Sequence, residues 1–229
     1  MRTLTLALLI AAGCADISPI EDGKAYGSIV TIKDLFTSCY LLKAGDRVIL
    51  FDTCWRHSAL KAGLAQHNVT PDQITHVFMT HGHADHVGGL SLLANAKVFA
   101  LQPEQPTLTE HAHNHGAIDE RLSDGQELRF GDHNIRVLAV PGHTPGTAVY
   151  WVNGVLLLGD AARITKAGAL VSEEGFSEKP KQAAESLAAL AARVQRDRLD
   201  VDWLVPAHTG PASGLQPLLN FAATSQTEE

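Results

Sequence analysis

The segment Thr80-His81-Gly82-His83-Ala84-Asp85-His86 carries four potential metal ligands within seven residues. It follows His76–Met79, a short apolar run that is typical of a buried strand. Alternate residues of an extended segment point the same way, so His81 and His83 can reach one metal ion. The last two residues of the segment come after the chain turns, and they can face a second ion. The spacing therefore predicts a metal centre at the end of a strand.

Three further candidate ligands, His143, Asp160 and His208, each follow closely on an apolar run of strand-like composition. These runs are Ile135–Val140, Val155–Leu158 and Trp203–Val205. Sheet proteins gather binding groups at the ends of their strands. We therefore expect all these side chains to meet in one crevice.

With Asp52 after the run Arg47–Phe51, these motifs resemble those of the metallo-β-lactamase fold superfamily over about residues 28–210. The resemblance implies an α/β (α+β) fold, a four-layer αββα sandwich of two mixed β-sheets with the metals at one edge. It also implies the ligand sets: His81, His83 and His143 for one metal, Asp85, His86 and His208 for the other, and Asp160 bridging both. We expect Asp52 to orient a ligand rather than to bind metal itself.

The rest of the pattern agrees with two mixed sheets and outer helices rather than one doubly wound parallel sheet. Helical spacing covers His57–His67 and Lys181–Arg198, and the pair Thr70-Pro71 is typical of a helix start. Asn153-Gly154 is a strong hairpin signal. Further runs rich in strand formers are Ser28–Ile32, Ser38–Leu42, Val98–Ala100, Gln126–Phe130 and Thr147–Val152.

The resemblance implies a hydrolase that uses two Zn²⁺ ions, with iron or manganese as alternative metals. A hydroxide shared by the ions would attack the carbonyl of an ester, thioester, lactone or amide, and Asp85 would orient it. The familiar β-lactamase groups lack an aspartate equivalent to Asp160, whereas glyoxalase II and lactonases have one, so β-lactam cleavage is not the first expectation. Two alternatives stay open: a mononuclear iron persulfide dioxygenase, and a non-enzymatic periplasmic metal-binding lipoprotein.

Charge restricts the partners of the chain. Its 229 residues carry a formal net charge of −7, which disfavours nucleic acid and anionic lipid surfaces. We expect a small-molecule substrate, and the sequence leaves the oligomeric state open.

The N-terminal residues 1–13, MRTLTLALLIAAG, have the layout of a secretory signal whose apolar run is too short to cross a bilayer. Small residues directly before Cys14 resemble a bacterial lipobox, which implies lipid attachment at Cys14. We expect a signal at 1–13, a tether at 14–27 and one domain at 28–229. The protein would then be exported and lipid-anchored facing the periplasm, or alternatively soluble there. Export would allow a Cys39–Cys54 disulfide, which the sequence leaves open.

Two polar segments have no assigned role. His111, His113 and His115 alternate in a stretch that reads as a solvated loop or helix end, with a lid over the site as the alternative. The segment Arg163–Pro180 would border the crevice, where Leu170, Val171 and Phe176 give it an apolar edge. We expect Arg163 and Lys166 to belong to a solvated loop, with contact to a substrate carboxylate as the alternative.

Overall fold

The computed structural model describes residues 17–112 and 115–225, in which two mixed β-sheets pack face to face between helices. This αββα sandwich confirms the fold expected from the sequence. The strands are short and mostly joined to their neighbours by turns, as the hairpin signals indicate.

The first sheet has seven strands whose spatial order follows the chain. They are β1 Ala25–Tyr26, β2 Ile29–Asp34, β3 Thr37–Ala44, β4 Arg47–Phe51, β5 His76–Phe78, β6 Lys97–Leu101 and β7 Glu120–Leu122. Strands β1 to β4 pair antiparallel, and β4 to β7 pair parallel. The carboxyl ends of the parallel strands consequently lie at one edge of the sheet, where β5 leads into the histidine-rich segment.

The second sheet has six strands in the order β15, β14, β11, β10, β9, β8. They are β8 Glu127–Phe130, β9 His133–Ala139, β10 Ala148–Val152, β11 Val155–Gly159, β14 Trp203–Pro206 and β15 Ala212–Ser213. Only β11 and β14 pair parallel, and their carboxyl ends deliver Asp160 and His208 to the same edge. A separate hairpin, β12 Ala162–Ile164 and β13 Leu170–Ser172, follows Asp160.

Helices cover the outer faces of both sheets. They are α1 His57–Gln66, α2 Ala84–Val87, α3 Gln105–Ala112, α4 Pro180–Arg196 and α5 Gln216–Ser225. The 3₁₀ turns are Pro71–Gln73, Leu90–Leu92 and Gln102–Glu104. Helix α4 buries one apolar stripe, including Leu187, Leu190 and Val194, against the second sheet. No helix in the described ranges is long and apolar enough to span a bilayer.

The central core lies between the sheets and contains aromatic side chains of both, among them Phe51, Phe78 and Tyr150. Two buried tyrosines also join the sheets beside the candidate ligands. The Tyr150 hydroxyl donates to the carbonyl oxygen of Met79 at 2.6 Å, and the Tyr40 hydroxyl donates to that of Pro206 at 2.5 Å. Each bond fixes a strand end that precedes a candidate ligand.

The chain segments outside the strong periodic runs differ from expectation. The tether predicted for 14–27 is described from Ile17 onward, where the amide of Ser18 donates to Ile164 O and the following residues contribute β1. This pairing could not be predicted from the polar composition of the segment, because only backbone groups form its hydrogen bonds. The pair Thr70-Pro71 starts only a 3₁₀ turn, because the chain becomes extended at Ile74 and enters β5. Cys14 and the predicted signal lie outside the described residues.

Cys39 and Cys54 form a disulfide, which the sequence left open. Cys39 lies on β3, and Cys54 follows the end of β4, so the bridge ties the loop after β4 to the first sheet.

Candidate metal centre

The edge of the sandwich brings together all seven side chains that the sequence singled out as ligands. They form two groups, and within each group the ligand atoms lie within 4.8 Å of one another. The first cluster is His81, His83, His143 and Asp160, and the second cluster is Asp85, His86 and His208.

The first cluster has the dimensions of a four-coordinate site. The Nε2 atom of His143 lies 3.2 Å from His81 Nε2, 3.0 Å from His83 Nδ1 and 3.4 Å from Asp160 Oδ2. Ligand atoms at zinc-like bond lengths of about 2.0–2.1 Å in a tetrahedron lie about 3.3 Å apart. The separations therefore suit one small divalent ion.

The second cluster lies on the other side of Asp160. The Nε2 atom of His208 is 3.3 Å from Asp85 Oδ2 and 3.0 Å from Asp160 Oδ2. The Nε2 atom of His86 is 3.2 Å from Asp160 Oδ1. Asp160 thus contacts histidines of both clusters, which is the arrangement a bridging carboxylate requires.

The surrounding protein sets the tautomers in the second cluster. His86 Nδ1 donates to the buried carboxylate of Asp52 at 2.8 Å, and His208 Nδ1 donates to the carbonyl oxygen of Phe36 at 2.8 Å. In a neutral imidazole one nitrogen donates and the other accepts. Each Nε2 atom therefore carries its lone pair toward the clusters.

The same reasoning applies to His81 and His143. Thr80 Oγ1 donates to Asp52 Oδ2 at 2.7 Å, so it accepts from His81 Nδ1 at 3.1 Å. Ser177 Oγ donates to the carbonyl oxygen of Glu173, so it accepts from His143 Nδ1 at 3.3 Å. Both Nε2 atoms are left as acceptors, because the proton of each neutral ring is on Nδ1. Outer hydrogen bonds of this kind orient metal-binding histidines.

Two buried atoms test whether a metal fits. His86 Nε2 and Asp160 Oδ1 have no hydrogen-bond partner in the described part of the chain, although only 3.2 Å separates them. With its proton on Nδ1, His86 presents a lone pair toward a carboxylate oxygen. Two facing acceptors in a buried place are costly unless a metal ion or a proton lies between them. The donor set is imidazole and carboxylate without thiolate, which suits zinc, iron or manganese.

Electrostatics favours the neutral imidazole that a metal needs at His81 and His143 of the first cluster. Burial lowers the pKa of His81 well below its ordinary value, and it lowers the pKa of His143 to about 4. Burial also lowers the pKa of His86, but Asp160 and Asp52 outweigh it and raise that pKa well above the ordinary value. Burial alone would raise the pKa of Asp160, yet the histidines around it hold it well below the usual range.

Comparison with known proteins agrees with this geometry. The family model of the metallo-beta-lactamase superfamily matches residues 32–208, which include most strands of both sheets and all seven candidate ligands. The chain belongs to the metallo-β-lactamase superfamily. Asp52, Asp85 and the other motif residues of this member thus occupy the matched region.

Two curated relatives of this superfamily member show different extents of similarity. Metallo-beta-lactamase domain-containing protein 1 of Xenopus laevis is 30% identical over 176 residues, which are 73% of this chain and 68% of that protein. Hydroxyacylglutathione hydrolase of Anaeromyxobacter dehalogenans is 37% identical over 147 residues, 62% of this chain. The chain spans about half the length of that hydrolase, since the match covers 49% of it.

Solved structures of the superfamily share the fold. A Cronobacter sakazakii metallo-β-lactamase with a HARLDQ motif has a TM-score of 0.68 at 17% identity, covering 93% of this chain and 94% of that one. A subclass B3 metallo-β-lactamase of Bradyrhizobium japonicum has a TM-score of 0.66 at 18% identity, covering 93% of each chain. Identities this low show the fold alone.

The site in this chain also contains a carboxylate that the sequence did not single out. Glu104 is completely buried and accepts hydrogen bonds from Gly82 N at 2.8 Å, Gly146 N at 2.9 Å and Thr144 Oγ1 at 2.6 Å. Gly82 lies between two ligands of the first cluster, and Thr144 follows the third. Glu104 therefore connects the two loops that build this cluster.

Close packing around Glu104 explains two of the glycines. A Cβ atom at Gly146 would lie 2.4 Å from the amide nitrogen of Glu104, and one at Gly82 would lie 2.6 Å from that of Leu108. Both positions require glycine because backbone approaches backbone there. Burial raises the pKa of Glu104, although its hydrogen bonds act in the opposite direction.

The flanking segments differ in part from expectation. Arg163 forms an ion pair with Glu173 at 2.7 Å, and Leu170 is buried under α4 and α5 rather than at the crevice. His111 ends α3 with its ring 5.7 Å from that of His83, close to the site. His115 is exposed, and His113 lies outside the described residues. The alternating pattern of the three histidines in the sequence could not predict which of them lies near the site.

Proposed function

We propose that this chain is a dinuclear metallo-hydrolase, with zinc in both clusters, that cleaves an ester, thioester, lactone or amide. Membership of the superfamily supports hydrolysis, and 37% identity to a hydroxyacylglutathione hydrolase favours carbonyl substrates of the ester and thioester kind. The contact of Asp160 with both clusters is the observation that carries the proposal.

The position of each cluster residue indicates its role in the proposed reaction. Divalent ions held in the clusters would supply Lewis acidity, which polarises a carbonyl group and makes water acidic at neutral pH. His81, His86 and His143 are buried, and these three side chains would hold the ions away from bulk solvent. Asp85 is more exposed than these histidines and lies 3.3 Å from His208 Nε2. In this proposal it helps to hold the second ion and orients the attacking water.

The bridging position of Asp160 favours esters and lactones over β-lactams within the superfamily. Hydroxyacylglutathione hydrolases and subclass B3 β-lactamases both occur among the similar proteins. The familiar β-lactamase groups lack an equivalent aspartate, whereas glyoxalase II and lactonases have it. A mononuclear iron persulfide dioxygenase shares much of the motif set and is the alternative that the experiment must separate.

The test compares the parent protein with His143→Ala and with the control His57→Ala, whose histidine is exposed on α1. Metal-loaded protein is assayed against esters, thioesters, lactones and β-lactams, and for oxygen uptake with glutathione persulfide. We expect ester or lactone hydrolysis that falls more than about 100-fold in His143→Ala, since even outer-shell changes cost 10–100-fold. Oxygen uptake by iron-loaded protein without hydrolysis would overturn the proposal.

We also propose that the protein is exported and lipid-anchored at Cys14. The Cys39–Cys54 disulfide supports an oxidising compartment, although it does not distinguish an anchored protein from a soluble periplasmic one. Mass spectrometry of the N-terminus tests the anchor. A diacylated Cys14 is expected, and an unmodified Met1 or a free Ala15 would contradict it.

A further inference from the structure

Large apolar side chains are exposed beside the metal centre. In the described ranges, four large hydrophobic residues have substantial exposure: Leu35 at 55%, Phe36 at 50%, Trp55 at 43% and Phe176 at 74%. We call these four residues the apolar rim. Such side chains are normally scattered singly over a surface, so the contact of Phe36 with both Trp55 and His208 indicates a binding role.

The rim is continuous with both clusters. The ring of Phe36 stacks on the ring of His208 with centroids 5.8 Å apart and planes at 18°, and the ring of Trp55 lies 5.3 Å from Phe36. On the other side, Phe176 precedes Ser177, whose Oγ accepts from His143 Nδ1. Phe36 and Trp55 therefore form an apolar surface next to the second cluster, and Phe176 neighbours in sequence a residue that contacts the first.

The Phe36 side of the rim is held rigidly. The buried carboxylate of Asp34 accepts from the amides of Trp55 at 3.0 Å and Arg56 at 2.5 Å, and it pairs with Arg56 Nε at 2.5 Å. The disulfide at Cys54 fixes the residue next to Trp55. Leu35 has φ of 56°, a left-handed conformation that is unfavourable for leucine. Local strain of this kind is concentrated at functional sites.

Charge at the rim is already compensated. Arg56 pairs with the buried Asp34, and Arg163 pairs with Glu173, which is also buried. The charge of each arginine is therefore neutralised by a buried carboxylate of the same chain. Recognition by the rim therefore rests on apolar contact rather than on an ion pair with these arginines.

We propose that the apolar rim binds the hydrocarbon chain of an acyl ester or lactone whose carbonyl group lies at the metal centre. This inference rests on the proposed hydrolase function and adds a substrate class to it. Phe36 and Trp55 are specificity-determining residues in this account. Their rings offer a flat surface to a chain, while the backbone carbonyl of Phe36 separately orients His208.

The experiment measures kcat/KM for neutral p-nitrophenyl esters from acetate to octanoate with metal-loaded protein. A fully buried methylene is worth about 0.8 kcal/mol, or about fourfold in kcat/KM, and a half-buried one about twofold. We expect the parent to gain about two- to fourfold per methylene. The readout is the octanoate-to-acetate ratio, which a general loss of activity does not change.

Three variants separate the rim from other causes. Phe36→Ser and Trp55→Ser should lower the octanoate-to-acetate ratio at least about tenfold, and Phe36→Leu should retain most of it because it keeps an apolar side chain. Metal content is measured in each variant to confirm an intact centre. A ratio that is independent of chain length in the parent, or unchanged in the serine variants, would overturn the inference.

Two other outcomes have distinct meanings. If the metal-loaded parent cleaves none of the esters, thioesters, lactones and β-lactams, the proposed function is wrong and the inference that rests on it is overturned with it. If sedimentation with phosphatidylglycerol vesicles binds the parent but not Phe36→Ser, and the ester ratio is flat, the rim docks on a membrane and the inference is wrong.

Discussion

Replacing Glu104 with alanine tests how the two ligand-bearing loops are held. The change removes the acceptor of three buried donors, Gly82 N, Gly146 N and Thr144 Oγ1. The Thr144 hydroxyl can turn to Thr147 Oγ1 at 2.8 Å, which leaves two amides without a partner. A buried donor without a partner costs about 1–3 kcal/mol, so two cost about 2–6 kcal/mol.

Water entering the space would favour the lower part of this range, about 3 kcal/mol. For a protein of this size, 1 kcal/mol shifts Tm by about 2–4 °C, so we expect Tm to fall by about 6–12 °C. Because Gly82 separates His81 from His83, the first cluster should also lose metal affinity.

The assay is thermal unfolding followed by circular dichroism, with metal content measured on the same samples. Glu110→Ala is the matched control, since Glu110 is exposed on α3 and such surface changes stay within about 0.5 kcal/mol. Glu104→Gln, which keeps one acceptor oxygen, should fall between the two. If Glu104→Ala unfolds within 2 °C of Glu110→Ala, roughly a sub-kilocalorie difference, and retains its metal, the reasoning about this carboxylate is refuted.

Three further changes test the outer contacts of the site. Asp52→Asn removes the anionic acceptor of His86 Nδ1 and should weaken metal binding in the second cluster about 10–100-fold by calorimetric titration, whereas an unchanged Kd would deny Asp52 that role. Leu35→Gly relieves a positive φ and should raise the free energy of unfolding by about 0.5–1 kcal/mol in urea; no gain would mean that the turn is not strained. Reducing the Cys39–Cys54 disulfide, which has a sequence separation of 15, should cost about 3 kcal/mol, and an urea midpoint that does not move would contradict the loop-closure argument.

The seven candidate ligands were predictable because each follows a strand that is readable from local composition. His143, Asp160 and His208 come within four residues of the ends of buried strands, and strands of one sandwich end at a common edge. The long helices were recognised for the same reason, since an apolar stripe at helical spacing requires only neighbouring residues.

The residues that sequence reasoning missed act through distant contacts. Glu104 is one carboxylate among many until its donors are known, and these lie 22, 40 and 42 residues away. Phe36 and Trp55 look like core residues in a strand-rich sequence, but Phe36 follows the turn at Leu35, Trp55 follows the positive φ of Cys54, and both side chains are exposed. The backbone bonds of Ser18 leave no compositional signal, so its polar surroundings suggested a tether.

Metal content per chain is the most direct test of the two-cluster account. Elemental mass spectrometry is carried out on protein purified without added metal or chelator. The contact of Asp160 with both clusters predicts about two zinc ions per chain, since dinuclear sites of this kind hold ions about 3.5–4 Å apart. About one iron ion per chain would contradict the account and point to the mononuclear dioxygenase instead.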